Sequence, residues 1–255
     1  MEELMDSPPA VAVRNLRKVY GEKAAVDGLD LTVPPGCFFG FLGPNGAGKT
    51  TTIRMLMGLT PPTSGEIDIL GFPLPDKGIE VKKRIGLVPD ENLLFDQLTG
   101  LEFIEFVGRM YGIEQSQARE RARGLLELFE LDGTKGKLIG DYSKGMRKRV
   151  AMASALIHRP QLFLMDEPFE GVDAVGARLM KDILLEQVRQ GVTIFLTSHV
   201  LEVVERLCDR VAIIHDGKLV VDDTIQNLRS GEETLEDIFV RVVGGSRQRE
   251  PIEWL

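Results

Sequence analysis

Gly43, Pro44, Asn45, Gly46, Ala47, Gly48, Lys49 and Thr50 carry the strongest chemical signal in this 255-residue chain. Glycines at this spacing, closed by a lysine and a threonine, make a loop whose successive backbone N–H groups can turn inward around a phosphate. Lys49 would reach the β- and γ-phosphates of a nucleoside triphosphate, and the Thr50 hydroxyl would ligate Mg²⁺. The apolar stretch 37–42 before the loop has strand character. Residues 51–58, opening with Thr51, read as a helix whose N-terminus faces the anion. A glycine turn that merely joins a strand to a helix is the competing reading, and the flanking context weighs against it.

A second group lies over residues 162–167, an apolar strand ending in Asp166 and Glu167. A buried strand that delivers carboxylates at its C-terminal end suits a metal–phosphate site. Asp166 would hold Mg²⁺, directly or through water, opposite Thr50. Glu167 would point at the attacking water as general base or as the group that positions it. Asp-Glu-Pro is also good turn chemistry, so an ordinary surface turn competes; the phosphate loop upstream favours the metal reading.

These groups need a scaffold, and the chain alternates in a way that supplies one. Residues 11–16 and 29–33 read as strands flanking a turn-rich region at 21–28, with further strands at 65–70 and 85–88. From residue 101 to about 158 the apolar period becomes helical, over 101–111, 116–131 and 144–157. Strand and helix then alternate: 162–165, 174–190, 193–196 and 200–207. Residues 210–214 and 218–221 close as a hairpin through Asp216-Gly217. The expected fold is α/β, a single nucleotide-binding domain over residues 1–255, with a helical subdomain at about 90–160 and a helical tail at about 222–255.

Composition limits the partners. A hydrophobic content of 43% sustains a real core, and a net charge of −8 argues against a nucleic-acid binder that relies on bulk positive field. Cys37 and Cys208 lie in apolar surroundings without metal spacing, as reduced core residues of a cytoplasmic protein do. No stretch approaches the roughly 20 apolar residues needed to span a bilayer, and the acidic start is not that of a signal peptide. If the protein works at a membrane, another chain supplies the membrane part.

The phosphate loop, Tyr142-Ser143-Lys144-Gly145-Met146, the strand ending at Asp166 and Glu167, and Ser198-His199 together resemble the ATP-binding-cassette ATPases, over residues 11–244. The resemblance implies a P-loop NTPase core, a mixed sheet with flanking helices, carrying an antiparallel β part and the helical insertion. It also implies two cassettes that sandwich two ATP molecules head to tail, with Ser143 and Gly145 of one contacting the γ-phosphate held by the other. Ser143 opens a helix, so it reads equally as an N-cap, and the two roles are compatible.

His199 resembles the switch histidine that contacts the γ-phosphate, while His158 and His215 read as structural. Asp173 matches the acid of the dimer-interface loop at 170–173. Tyr20 resembles the aromatic that stacks on adenine, against the alternative of a packed strand-end tyrosine. Asp90 stands where the family usually has the glutamine that ligates Mg²⁺ and senses the membrane partner. A carboxylate can still bind the metal, though solvated turn chemistry after Pro89 is the alternative. Tyr142, Lys144 and Met146 replace the usual Leu, Gly and Gln, while Ser143 and Gly145 remain.

Residues 234–239 resemble the tail of cassettes paired with six-helix export-type permeases. The resemblance thus implies an ATP-hydrolysing, Mg²⁺-dependent subunit on the cytoplasmic face of the membrane. Its partners would be a second copy or a homologous cassette, and a permease whose helices are received near residues 90–99. No nucleic-acid partner is expected. A soluble cassette of translation or DNA repair is the alternative, but those usually carry two cassettes or long coiled-coil insertions. A P-loop kinase would need a second substrate pocket. Intact Lys49, Asp166, Glu167 and His199 weigh against a binder without turnover.

Overall fold

In the computed structural model, which describes residues 8–90, 94–229 and 233–244, the chain opens with a hairpin. Strands β1 (Val11–Tyr20) and β2 (Lys23–Val33) pair antiparallel along their whole length. The expected turn-rich region at 21–28 is therefore corrected. Only Gly21 and Glu22 turn, and residues 23–28 belong to β2. Gly28 has φ +72°, and a Cβ there would stand 3.4 Å from Asn15 Oδ1, itself a residue at φ +44°. The pairing shifts register at that level, so the glycine marks a bulge inside a strand and not a turn between strands.

β3 (Phe38–Leu42) leaves for a second sheet, and α1 (Lys49–Leu56) follows it. β4 (Ser64–Ile69) returns to β1 and β5 (Phe72–Leu74) completes a four-stranded antiparallel sheet in the order β2-β1-β4-β5. A short α2 (Gly78–Lys82) leads into β6 (Ile85–Val88).

Three helices then stand together: α3 (Gly100–Met110), α4 (Gln115–Leu128) and α5 (Lys144–Leu156). Each start is capped from the sequence, by the reciprocal Thr99–Glu102 box, by Glu114 and by Ser143. Small residues let α3 and α4 approach closely: a Cβ on Gly108 would lie 3.2 Å from that of Ala118. α4 stops at Leu128, short of the expected 131, because Glu130 turns left-handed at φ +54° and sends Phe129 and Leu131 into the core.

β7 (Leu162–Asp166), α6 (Ala174–Arg189), β8 (Thr193–Ser198), α7 (Leu201–Leu207), β9 (Arg210–His215) and β10 (Lys218–Thr224) build the second sheet, in the order β10-β9-β3-β8-β7-β6. All its pairings are parallel except β10 with β9. β10 runs three residues past the expected 221, and α8 (Ile225–Arg229) and α9 (Leu235–Val243) follow. β3, β7 and β8 are buried at every position, as parallel strands covered on both faces must be.

Alternation along these strands divides the interior in two. Phe39, Phe41 and Phe195 face the antiparallel sheet and α1, with ring centroids 5.4 and 5.6 Å apart. Phe38, Leu42, Phe163, Met165 and Leu196 face the helices. Register then aligns the carboxyl ends, Leu42 beside Ser198 and Asp166 beside Thr197, where α/β sheets place their ligands.

Cys37 and Cys208 are buried free thiols. Desolvation pushes Cys37 up to about 12 and Cys208 well above its ordinary value, which leaves both unreactive. Among the described residues no helix is long and apolar enough to cross a membrane. The acidic start at 1–6, residues 91–93 of the expected permease-receiving stretch and residues 245–255 of the expected tail lie outside the described residues.

Candidate active site

The loop between β3 and α1 is shaped by contacts that only glycine permits at two positions. A Cβ on Gly43 would lie 2.4 Å from Ile214 O, and one on Gly48 2.4 Å from Ala25 O. Gly48 also sits at φ +112°. It caps α1 with no side-chain hydrogen bond, so the first N–H groups of the helix remain available to an anion. Lys49 is 7% exposed; its ammonium donates to Gly43 O at 2.7 Å and Pro44 O at 3.3 Å. Desolvation lowers its pKa, while the Glu167 and Asp166 carboxylates act in the opposite direction.

The acid end of β7 meets this loop. Asp166 is buried and accepts a hydrogen bond from the Thr197 hydroxyl of β8. Glu167, the next residue, has a left-handed backbone at φ +46°, a conformation that costs a non-glycine residue roughly 1–3 kcal/mol and clusters at functional sites. Its N–H donates to Thr197 Oγ1 at 3.2 Å. Its Oε1 lies 2.9 Å from His199 Nδ1 and 3.9 Å from Lys49 Nζ. Lysine, glutamate and histidine from three separate stretches of chain thus converge on one point.

That point opens into a cleft of about 620 Å³. Tyr20, Pro44, Asn45, Gly46, Gly48, Lys49, Thr50, Thr51, Asp90, Glu167 and His199 line it, joined by Lys23, Ala25 and Glu170. Tyr20 is 52% exposed, with the Lys18 ammonium 5.1 Å from its ring centroid, so it is not the packed tyrosine of the competing reading. Gly43 and Ala47 are buried behind the loop, and Asp166 is not among the lining residues but is buried beside Glu167, bonded to Thr197.

Ser143, Gly145 and Asp173 are not among the residues lining the cleft. They meet one another instead. Ser143 Oγ accepts the Met146 N–H at 3.2 Å and caps α5. Asp173 caps α6 by accepting from Val175 and Gly176, bonds that hold its carboxyl below the usual range. A Cβ on Gly145 would stand 3.5 Å from Val172 Cα and 3.8 Å from Asp173 Oδ2.

His158 has a structural place, stacked on Tyr111 with centroids 3.6 Å apart and donating from Nε2 to Ile85 O at 3.1 Å.

Of the charged residues beside the site, Lys148 was not singled out in the sequence, whereas Lys144 and Glu170 were. Lys144 pairs with Glu170 at 2.9 Å across the exposed surface. Lys148 is buried, donating to the main-chain oxygens of Asp90 (2.9 Å) and Glu167 (3.2 Å). The run Arg147-Lys148-Arg149 looks like a solvated basic face. The signal that could have found Lys148 is its spacing, three residues after Gly145 and four before Met152, on the buried side of α5.

The donor set fits a nucleoside triphosphate with magnesium. Among the described residues no group of three or more His, Cys, Asp or Glu is arranged to hold a metal by itself. Thr50, Asp166 and Asp90 offer the few hard oxygens that complement phosphate oxygens around Mg²⁺, which is seldom held by protein groups alone.

Residues 26–170 match the ABC transporter family. The chain is 41% identical over 220 residues to Nod factor export ATP-binding protein I of Cupriavidus metallidurans, covering 86% of this chain and 73% of that one. It is 39% identical over 232 residues to the linearmycin resistance ATP-binding protein of Bacillus subtilis, covering 89% and 73%. Among solved structures, the ATP-binding subunit of an ABC transporter superposes with TM-score 0.85 at 28% identity, covering 91% of this chain and 99% of the other. A dimeric ATP-binding cassette in a post-hydrolysis state, bound to ADP and Pi, superposes with TM-score 0.79 at 25% identity, covering 84% and 98%.

Proposed function

This chain belongs to the ABC transporter family, and on that premise we propose that it is the motor subunit of an exporter, closing on a second cassette around ATP to drive a separate permease. It is an ATP-binding subunit and an ATPase. The observation that carries the assignment of roles is the convergence of Lys49 and His199, both within 3.9 Å of one Glu167 carboxylate oxygen at the mouth of the phosphate loop.

In this reading the loop N–H groups and Lys49 hold the β- and γ-phosphates, while Tyr20 stacks on the adenine. Thr50 and Asp166, with Asp90, would hold Mg²⁺, which neutralises charge across the phosphate oxygens when bound. Glu167 aligns the attacking water or accepts its proton, and His199 anchors that carboxylate while facing the γ-phosphate. Because Ser143, Gly145 and Asp173 gather away from their own cleft, they act on the ATP of a second cassette. The dimeric cassette among the structural relatives supports this arrangement.

The names of the relatives support export. An exposed aromatic group supports a permease contact on the helical part of the molecule. Phe95 and Phe106 are largely exposed with ring centroids 5.6 Å apart, and Phe95 meets Phe103 edge-on at 5.8 Å. Such a patch suits the cytoplasmic segment of an integral-membrane partner, with this subunit peripheral on the cytoplasmic face.

Glu167→Gln tests the core of the reading. The variant should lose about 100-fold or more of its phosphate release, keep ATP binding, and run as a dimer on size exclusion only with Mg-ATP. Normal turnover together with a monomer under every ATP condition would sink it.

A further inference from the structure

Lys148 is 1% exposed, and the reading above gives it no task. An unpaired ammonium inside a protein is strongly disfavoured, so its donors must be met, and the partners it finds are specific. Nζ donates to the main-chain oxygen of Asp90 at 2.9 Å and to that of Glu167 at 3.2 Å. It also stands 3.6 Å from the Asp90 carboxylate. The acceptors lie just beyond the ends of β6 and β7, two neighbouring parallel strands. The lysine comes from α5, the helix that Ser143 caps.

We infer that Lys148 is a positioning residue for ATP hydrolysis: it holds the left-handed turn at Glu167, and with it the aim of that carboxylate, and it balances the Asp90 carboxylate beside the triphosphate. The inference rests on the reading of Glu167 as the group that aligns or activates water. Two physical points carry it.

The first is geometric. The peptide groups on both sides of Glu167 Cα are hydrogen-bonded: Thr197 of β8 takes the N–H and Lys148 of α5 takes the carbonyl. A glutamate at φ +46° stays there only while its surroundings hold it. Releasing the carbonyl lets the turn relax and moves Oε1 from its place 2.9 Å from His199. The second point is charge. Asp90, Glu167 and Glu170 already line the cleft, and a triphosphate adds more negative charge. Lys148, 3.6 Å from the Asp90 carboxylate, supplies the compensating cation from beneath. One helix therefore carries both Ser143, which faces away from this cleft, and the ammonium that steadies its hydrolytic end, so a tilt of α5 reaches Glu167 directly.

Lys148→Met keeps the apolar stem and removes the ammonium. Steady-state Mg-ATP turnover of the full chain should show kcat reduced roughly tenfold or more, since a misplacement near 1 Å can cost about 10² in rate. KM and the affinity for a fluorescent ATP analogue should stay within about threefold of wild type. Adding Asp90→Gln to the Lys148→Met variant removes the stranded charge while keeping a side-chain oxygen for Mg²⁺, and should raise kcat at least about threefold, a coupling that a purely structural lysine would not show. Lys148→Arg should retain most of the turnover.

A folded Lys148→Met protein with wild-type kcat overturns the inference, as does Asp90→Gln leaving kcat unchanged or lowering it further in that background. If the methionine variant does not fold, Lys148→Gln, whose polar but shorter and uncharged side chain cannot bridge both carbonyls, carries the same expectation: kcat down at least about fivefold with KM little changed. Glu167→Gln run in parallel separates the two readings. A dead Glu167→Gln beside a normal Lys148→Met removes only the lysine's role, whereas normal turnover in Glu167→Gln removes the reading beneath it and the inference with it.

Discussion

The start of α1 and the start of α5 are two helix N-termini suited to the same kind of ligand, and they are built in opposite ways. At α1 no side chain caps the helix, the preceding glycine is left-handed, and the Lys49 ammonium is buried against its own loop. At α5 the helix is capped by Ser143, and the nearest cation, Lys144, reaches across the surface to Glu170. The first is a closed cradle in which every contact comes from this chain. The second is an open surface, with Asp173 beside it and its own cleft elsewhere. Burial and capping thus separate a cradle closed by its own chain from a helix start left on the surface.

The sharpest way to break this contrast is at the closed site. Lys49→Ala should lower ATP affinity and turnover together, each by roughly 100-fold or more, because a buried ammonium contacts the phosphates in ground and transition states alike. A fluorescent ATP analogue and a phosphate-release assay read both quantities; unchanged values would remove the phosphate loop from the mechanism.

The open site should respond differently. If Ser143 acts on another chain's ATP as proposed, Ser143→Arg should leave ATP affinity of the monomer within about twofold while reducing turnover by roughly 100-fold. Mixing this variant with Lys49→Ala restores one undamaged composite site in a heterodimer, so partial activity should return. Full activity of Ser143→Arg alone would refute the composite arrangement.

Asp90 lies between the two regions and should have a smaller effect. If its carboxylate serves Mg²⁺ as well as Lys148, Asp90→Ala should raise the Mg²⁺ concentration for half-maximal turnover about three- to tenfold. A flat Mg²⁺ dependence, in a folded protein that still binds ATP, ends the ligand role. The smallest effect is expected at Lys144. Its pair with Glu170 is exposed, and such pairs contribute little to stability. Lys144→Gly should therefore shift a urea midpoint only slightly and leave ATP binding intact; a large loss of binding would mean that the open site is not independent of the closed one.

The chemistry-bearing loop was legible in the sequence because its requirements are local. Gly48 and Lys49 work through the backbone conformation and reach of adjacent residues, and spacing along the chain records that. The acid pair at the end of β7 was legible only in combination, since Asp-Glu-Pro alone reads equally as a turn and the phosphate loop upstream favoured the metal reading. The helical stretches 101–111, 116–131 and 144–157 also lie within two or three residues of the observed α3, α4 and α5. Gly28 misled because a glycine in a strand looks like a glycine in a turn until the opposing strand shows Asn15 against it.

The sequence by itself therefore determined the α/β alternation, the phosphate loop, the acid pair and the family resemblance, all properties of neighbours along the chain. Only the tertiary structure decided that Glu167 Oε1 meets both His199 and Lys49, that Tyr20 stands exposed at the cleft, and that Ser143 and Asp173 gather elsewhere. It alone turned Lys148 inward, from the middle of a basic run, to hold Asp90 and Glu167. These contacts depend on the register of parallel strands and the seating of α5 on the sheet. Strand pairing and helix packing join residues far apart in sequence, and no spacing along the chain encodes which charge will find which partner.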